Sequence, residues 1–173
     1  MPPTTYNLFF TGRDDPRCCV IIGEDTKPVY LCFETPERGM LMSNTRTTVY
    51  RNNKDVCARL EWSPGNHLGS ASIGSRQLPM SHLVLPGSSN KSARAFISAD
   101  GKRLEWRRRA DNPTSYDLYS SPTTKIAAFR RYSQTTVVGP SHGLFQYTFT
   151  NELLLVEALL ALCLNRWIDL HGV

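Results

Sequence analysis

Two features of this 173-residue chain predict an all-β fold with one central helix. The first is the C-terminal run LLLVEALLALCLNRWIDL, which is apolar on nearly every side of a helical wheel and must therefore be covered on every side. The second is the preceding series of short β-type runs separated by turn residues. We therefore expect a closed antiparallel barrel of about twelve strands around a hydrophobic C-terminal helix. Its length fits a single domain over residues 1–173.

The sequence indicates where the helix begins and ends. Asn151 supplies an N-cap oxygen, Glu152 adds a negative charge to the first turn, and Arg166 lies near the other end, where the helix dipole favours a cation. A membrane tail anchor is the alternative, but the run is short of the roughly 20 apolar residues that a bilayer requires and contains Glu157 and Asn165. We expect Glu157 to be satisfied by an arginine or backbone donors, or to face an opening at the rim.

Short apolar runs, each of which reads as a strand, fill the first part of the chain. They extend over Tyr6 to Phe10, Cys18 to Ile22, Val29 to Phe33, Thr47 to Arg51 and Val56 to Trp62. In the last run apolar residues alternate with Cys57, Arg59 and Glu61, as in a half-buried strand. The segment from Ser63 to Ser92 is rich in Gly, Pro and Ser and gives the weakest pattern.

The clearest hairpin follows that segment. ARAFISA and KRLEWRR flank Asp100-Gly101, a pair that tolerates the positive φ angles of a tight two-residue turn. The later runs YDLYS, KIAAFRR, QTTVV and LFQYTF lead into the helix. Trp62 and Trp106 share strand parity with Leu60 and Leu104, so we expect both in the core.

Net charge, the first residues and the cysteines bear on the partners, the location and the metal content of the protein. The formal net charge of +5 would suit an anionic partner but is ordinary for a soluble protein. The first residues show no secretory signal, so we expect an intracellular, cytoplasmic protein, with peripheral contact to a membrane as an option. Five cysteines lack a C-x-x-C pair, and we expect no metal site and no cofactor. The sequon at Asn90 is discounted for want of a signal peptide.

A basic cluster is the strongest chemical feature. It comprises Arg94, Lys102, Arg103, Arg107, Arg108, Arg109, Lys125, Arg130 and Arg131. Strand alternation places Arg103 and Arg107 on one face, and Lys102 and Arg108 on the other. The predicted ligand-binding residues are the outward group Arg103, Arg107 and Arg109, joined by Arg131, because arginine can hold a phosphate bidentately. The alternative is a solvated face whose cations discourage edge pairing.

Catalysis and nucleic-acid binding find little support. His67, His82, His142 and His171 lie in loops or at the terminus, and no G-x-S-x-G, H-E-x-x-H or P-loop pattern is present, so no catalytic residue is predicted. Nucleic-acid binding would require exposed aromatic residues among the basic ones, whereas these aromatic residues have inward parity.

In order, the segments TKPVYLCFETP, TTVYR, VCARLEW, SARAFISADGKRLEWRR, KIAAFRR and TNELLLVEALLALCLNRW cover nearly the whole chain. This set resembles a fungal domain family of unknown function, abundant in mushroom-forming fungi and related to the tubby C-terminal and LURP-one-like folds. The resemblance implies a barrel of about twelve strands around a central helix. Tubby-like domains bind phosphatidylinositol bisphosphate, but their lipid-contacting residues cannot be matched to positions here.

We therefore expect a non-enzymatic binding module whose ligand is an anionic, phosphoinositide-type lipid headgroup or a protein partner. The first alternative is an interaction scaffold of fungal development or defence. The second is an enzyme whose site is assembled from loops and leaves no linear motif.

Overall fold

In a computed structural model, which describes residues 4–36, 45–52, 54–88 and 92–172, thirteen strands precede one long helix. The strands are β1 (Tyr6–Asp15), β2 (Cys18–Gly23), β3 (Tyr30–Glu34), β4 (Arg46–Arg51), β5 (Asp55–Ser63), β6 (His67–Ile73), β7 (Arg76–Pro79), β8 (Leu85–Pro86), β9 (Ala93–Ile97), β10 (Arg103–Arg108), β11 (Tyr116–Ser121), β12 (Thr124–Thr136) and β13 (Gly139–Tyr147). A 3₁₀ helix, η1 (Met80–Leu83), separates β7 from β8, and the chain closes with α1 (Glu152–His171). The sequon at Asn90 and Lys91 lies outside the described residues.

The strands form one antiparallel sheet in the order β7-β6-β5-β4-β3-β2-β1-β13-β12-β11-β10-β9-β8. Within the described part of the chain β7 does not pair with β8, so these two strands are the edges of an open sheet. The predicted closed barrel is therefore wrong, although the mostly-β fold with one C-terminal helix is confirmed.

The gap between the edges has a physical cause. β7 has four residues and β8 only two, and the chain between them forms η1 instead of a strand. η1 contacts β6, β9 and α1, and its Met80 and Leu83 side chains are fully buried. Side-chain packing by η1 thus occupies the position where a closing strand would lie.

The helix is buried between its ends as predicted. Asn151 Oδ1 accepts a hydrogen bond from the Leu154 N–H at 3.1 Å, which confirms the N-cap. Contacts to α1 come from distant parts of the sheet: Trp106 Nε1 on β10 donates to Ala158 O at 3.1 Å, and Cys163 Sγ donates to Pro16 O, next to β1, at 3.0 Å. The sheet therefore curls around α1.

Two further predictions concern the core. Trp62 and Trp106 are 2% and 0% exposed, which confirms that both are core residues. Glu157 is buried on α1, and its carboxylate accepts hydrogen bonds from Arg76 Nη1 at 2.7 Å and from the Ala99 N–H at 3.4 Å. An arginine and a backbone donor both satisfy it, as one of the alternatives proposed.

The predicted pairing of the Asp100-Gly101 hairpin is confirmed, because Leu104 lies opposite Phe96 and Trp106 lies opposite Arg94. The two-residue turn is wrong. The Ser98 N–H donates to Lys102 O at 2.8 Å, so the three residues Ala99, Asp100 and Gly101 form the loop between this pair, and of these only Gly101 has a positive φ, at 84°.

Candidate anion-binding site

Arginines occupy inward-facing strand positions at the end of the sheet where α1 terminates. Arg108 lies two residues beyond the buried Trp106 on β10, and Arg131 lies two residues beyond the buried Phe129 on β12. Because side chains two residues apart on a strand point to the same face, both arginines continue the inner face of the sheet. They therefore lie where the apolar core meets solvent.

The helix supplies a third guanidinium group to this place. Arg166 is 5% exposed, and its guanidinium carbon lies 4.6 Å from the centre of the Phe129 ring. Its nearest acid is Asp14, at 3.6 Å from Nη2 to Oδ1, and its side chain donates no hydrogen bond to any residue that the structure describes. The Asp14 ion pair and the Phe129 ring therefore hold this guanidinium group, and it lines a pocket with N–H donors that are not used by hydrogen bonds to described residues.

Two carboxylates bind the polar residues around Arg166. The first is Asp169, one turn further along α1. Its carboxylate accepts hydrogen bonds from Arg94 Nη2 at 2.9 Å and from the Tyr116 hydroxyl at 2.8 Å, and Arg108 Nε lies 3.8 Å away. Arg94 also donates to Asn165 Oδ1 at 3.0 Å. This network fixes Tyr116 and the helix end relative to β9 and β11.

The second carboxylate is that of Asp14, at the end of β1. It forms a hydrogen-bonded ion pair with Arg131, and His142 Nδ1 lies 3.5 Å from its Oδ1. His142 Nε2 lies 3.3 Å from Thr11 O, which fixes the ring against β1. Asp14 is thus shared by Arg131, His142 and Arg166.

A pocket of about 120 Å³, which we call the arginine pocket, lies between the residues around Asp169 and those around Asp14. Its lining residues are Asp14, Arg108, Pro113, Thr114, Tyr116, Arg131, Arg166, Asp169 and Leu170. Three guanidinium groups from three separate elements face two carboxylates, so positive charge prevails. The volume suits one small anionic group, such as a phosphate, and is below the range of about 300–1,000 Å³ for drug-sized ligands.

Burial adjusts the electrostatics of the pocket. Burial lowers the pKa of Arg166 from its ordinary value, while nearby acidic groups oppose that change. Arginine nevertheless keeps its charge at neutral pH, because its ordinary pKa is above 12. Burial and the hydrogen bond to Asp169 raise the pKa of Tyr116, so its hydroxyl stays protonated as a donor. The pocket therefore presents fixed positive charge.

The four predicted ligand-binding residues do not converge. Arg103 and Arg107 share an outer groove with Tyr119: Arg103 Nη2 donates to Pro86 O at 2.9 Å, and Arg107 pairs with Glu105 at 3.1 Å. Arg109 lies apart from them and binds Asp111 Oδ2 at 2.7 Å. Arg131 alone lies in the arginine pocket.

The sequence reasoning missed Arg108, Arg166 and Asp169 as site residues. The sequence pattern could have indicated Arg108, because it has the same inward parity as Trp106. An inward cation just beyond a buried aromatic residue marks the end of the core. Arg131 has the same parity as Phe129, so it belongs with this inner set and not with the outward group.

Two absences hold for the residues that the structure describes. Across residues 4–36, 45–52, 54–88 and 92–172, no three His, Cys, Asp or Glu side chains are grouped to hold a metal ion. None of the helices in the same ranges combines the length and the hydrophobicity that a membrane span requires.

Comparison with known proteins identifies a family. Residues 14–157 match the model of a family of unknown function, DUF6593, while no curated protein and no solved structure matches the chain. Asp14, Arg108, Tyr116 and Arg131 lie within the matched residues, and Arg166 and Asp169 follow them. Because the match covers well over half of the chain, the protein belongs to the DUF6593 family of unknown function.

Proposed function

We propose that this protein is a non-enzymatic binding module for phosphate-bearing anions, with phosphorylated lipid headgroups as the favoured source. The observation that carries the proposal is Arg166, a buried guanidinium group with no hydrogen bond to a described residue and a side chain that lines the arginine pocket. A phosphate oxygen placed there would accept the unused N–H donors, and hydrogen bonds between charged groups are the strong ones.

Arg108 and Arg131 would complete the phosphate-binding site. Both lie at the mouth, with about a third and two fifths of their side-chain surface exposed, so they can turn toward a ligand. Arg131 would exchange its pairing with Asp14 for a pairing with the phosphate, which limits the net gain in binding free energy.

We also propose, from the sequence motifs, that the family is a fungal relative of tubby C-terminal and LURP-one-like domains. Tubby's lipid ligand has the same chemistry.

The test compares two double variants. We expect Arg108→Gln with Arg131→Gln to weaken binding of soluble inositol phosphate about ten- to hundredfold, since a hydrogen bond to a charged group is worth about 1.5–3 kcal/mol. The matched control is Arg103→Gln with Arg107→Gln in the outer groove, which should bind as the wild type does. Isothermal titration calorimetry measures both, and the melting temperature of each variant verifies folding.

Vesicle sedimentation separates lipid from free phosphate. Phosphatidylcholine vesicles with a phosphatidylinositol phosphate should carry the wild type down, vesicles without it should not, and soluble inositol phosphate should compete. Added salt should weaken the binding, because exposed charges are screened beyond about 8 Å at physiological ionic strength. If only the outer-groove variant loses binding, the ligand site moves to Arg103 and Arg107. If the wild type binds neither probe, the anion-binding function is wrong and the scaffold alternative replaces it.

A further inference from the structure

A second pocket lies at the opposite end of α1, where the first helical turn meets β3 and β4. Its volume is about 310 Å³, which reaches the range of about 300–1,000 Å³ typical of small-molecule sites. It shares no residue with the arginine pocket. The proposal developed on it is therefore independent of the anion-binding function.

The inner part of this pocket is apolar. Leu31 from β3 and Leu155 and Val156 from α1 line it, and each is at most 5% exposed as a residue. Tyr30 lines the same pocket and is 36% exposed, so part of a large aromatic residue is open to solvent. An apolar group of a ligand entering here would contact a surface that the folded chain already holds in place.

The outer part carries two opposite charges without partners. Arg51 at the end of β4 and Glu152 at the start of α1 both line the pocket. Neither forms an ion pair or a side-chain hydrogen bond with any residue of the described ranges, and they do not pair with each other. All five ionised residues that line the arginine pocket, by contrast, form ion pairs.

The backbone next to Arg51 forms a turn. Asn52 has a φ of 53°, in the left-handed region that asparagine adopts more readily than most other residues with a side chain, and its N–H donates to Tyr30 O at 3.2 Å. This contact turns the chain at the end of β4 and holds Asn52 in the pocket wall beside Arg51.

We propose that this pocket binds a small zwitterion with an apolar side chain, the chemical class of the apolar α-amino acids. The ligand's carboxylate pairs with Arg51, since a guanidinium group can hold a carboxylate by two hydrogen bonds. Its ammonium group pairs with Glu152, and its side chain lies against Leu31, Leu155 and Val156. A ligand with one charge would leave the opposite charge of the pocket without a partner.

The test uses three probes that differ by one charge each: L-phenylalanine, 3-phenylpropionate without the ammonium group, and phenethylamine without the carboxylate. Binding to the full chain is measured from amide chemical shifts in NMR titrations. We expect the wild type to bind L-phenylalanine about three- to tenfold more tightly than either analogue. Arg51→Gln should abolish the advantage over phenethylamine, and Glu152→Gln the advantage over 3-phenylpropionate.

The matched control is the double variant Arg108→Gln with Arg131→Gln, which should bind L-phenylalanine as the wild type does. Shifts confined to residues around Tyr30, Arg51 and Leu155 support the proposed location. The proposal is overturned if L-phenylalanine does not bind, binds no better than both analogues, or is unaffected by both single variants. None of these results bears on phosphate binding at the other end of α1.

Discussion

At the scale of single residues, the polar groups of α1 are the most informative. Glu157, Asn165 and Arg166 are all buried among leucines, yet only Arg166 lacks a hydrogen bond to a described residue. Asn165 Nδ2 donates to Ala161 O at 2.8 Å, and its Oδ1 accepts from Arg94. Glu157 and Asn165 thus fix the position of the helix, whereas Arg166, which pairs with Asp14 and lines a pocket, keeps N–H donors for a ligand.

Glu157 gives the residue-scale prediction. Burial raises the pKa of this carboxyl above its ordinary value of 4.5, although Arg76 and the Ala99 N–H oppose the change. In the pH range just above 4.5, the folded state therefore binds more protons at this position than the unfolded state does, so this group's contribution to stability falls as pH rises. Glu157→Gln cannot ionise. We expect the stability difference to shift in favour of the variant from pH 4.5 to neutrality.

Urea denaturation of both proteins across that pH range measures the effect. Glu152→Gln, at the exposed start of the same helix, is the control for removing a carboxylate without burial. If the stability of Glu157→Gln relative to the wild type is constant with pH, Glu157 does not titrate differently on folding.

At the scale of elements, the sequence specified more of the fold than of the site. Strand alternation, the Asn151 cap and the inward tryptophans could be predicted, because each depends on neighbours along the chain. The open edge could not, because it depends on η1 filling a gap between strands that are distant in sequence. The same limit applies to Arg166 and Asp14, which are brought together only by the curl of the sheet.

The edges give the element-scale prediction. β7 and β8 each pair on one side only, whereas β1 and β13 pair on both sides at the centre of the sheet. Amides of the edge strands should therefore exchange with solvent through local opening, while amides of β1, β13 and α1 from Leu155 to Leu164 should exchange near the global unfolding limit. Hydrogen exchange followed by NMR compares them directly. Equal protection of β7, β8 and β1 would contradict an open sheet.

At the scale of the whole molecule, one helix completes both the core and the two pockets. The first turns of α1 line the zwitterion pocket, and its last turns line the arginine pocket. Between them its leucines form one buried core cluster with residues from strands across the sheet. Any change that shortens α1 from its C-terminal end should therefore remove the arginine pocket and part of the core together.

Truncation gives the whole-molecule prediction. The family match ends at Glu157, but α1 continues to His171 with Leu159, Leu160, Leu162, Leu164 and Trp167 all buried. At about 1.5–3 kcal/mol for each buried side chain, these five contribute on the order of 10 kcal/mol. That is as large as the whole stability of a typical domain, about 5–15 kcal/mol. We expect a chain ending at Glu157 not to fold, whereas a chain ending at the exposed Leu170 should melt cooperatively. Calorimetry distinguishes them, and a cooperative transition in the shorter chain would show that the second half of α1 is dispensable for the core.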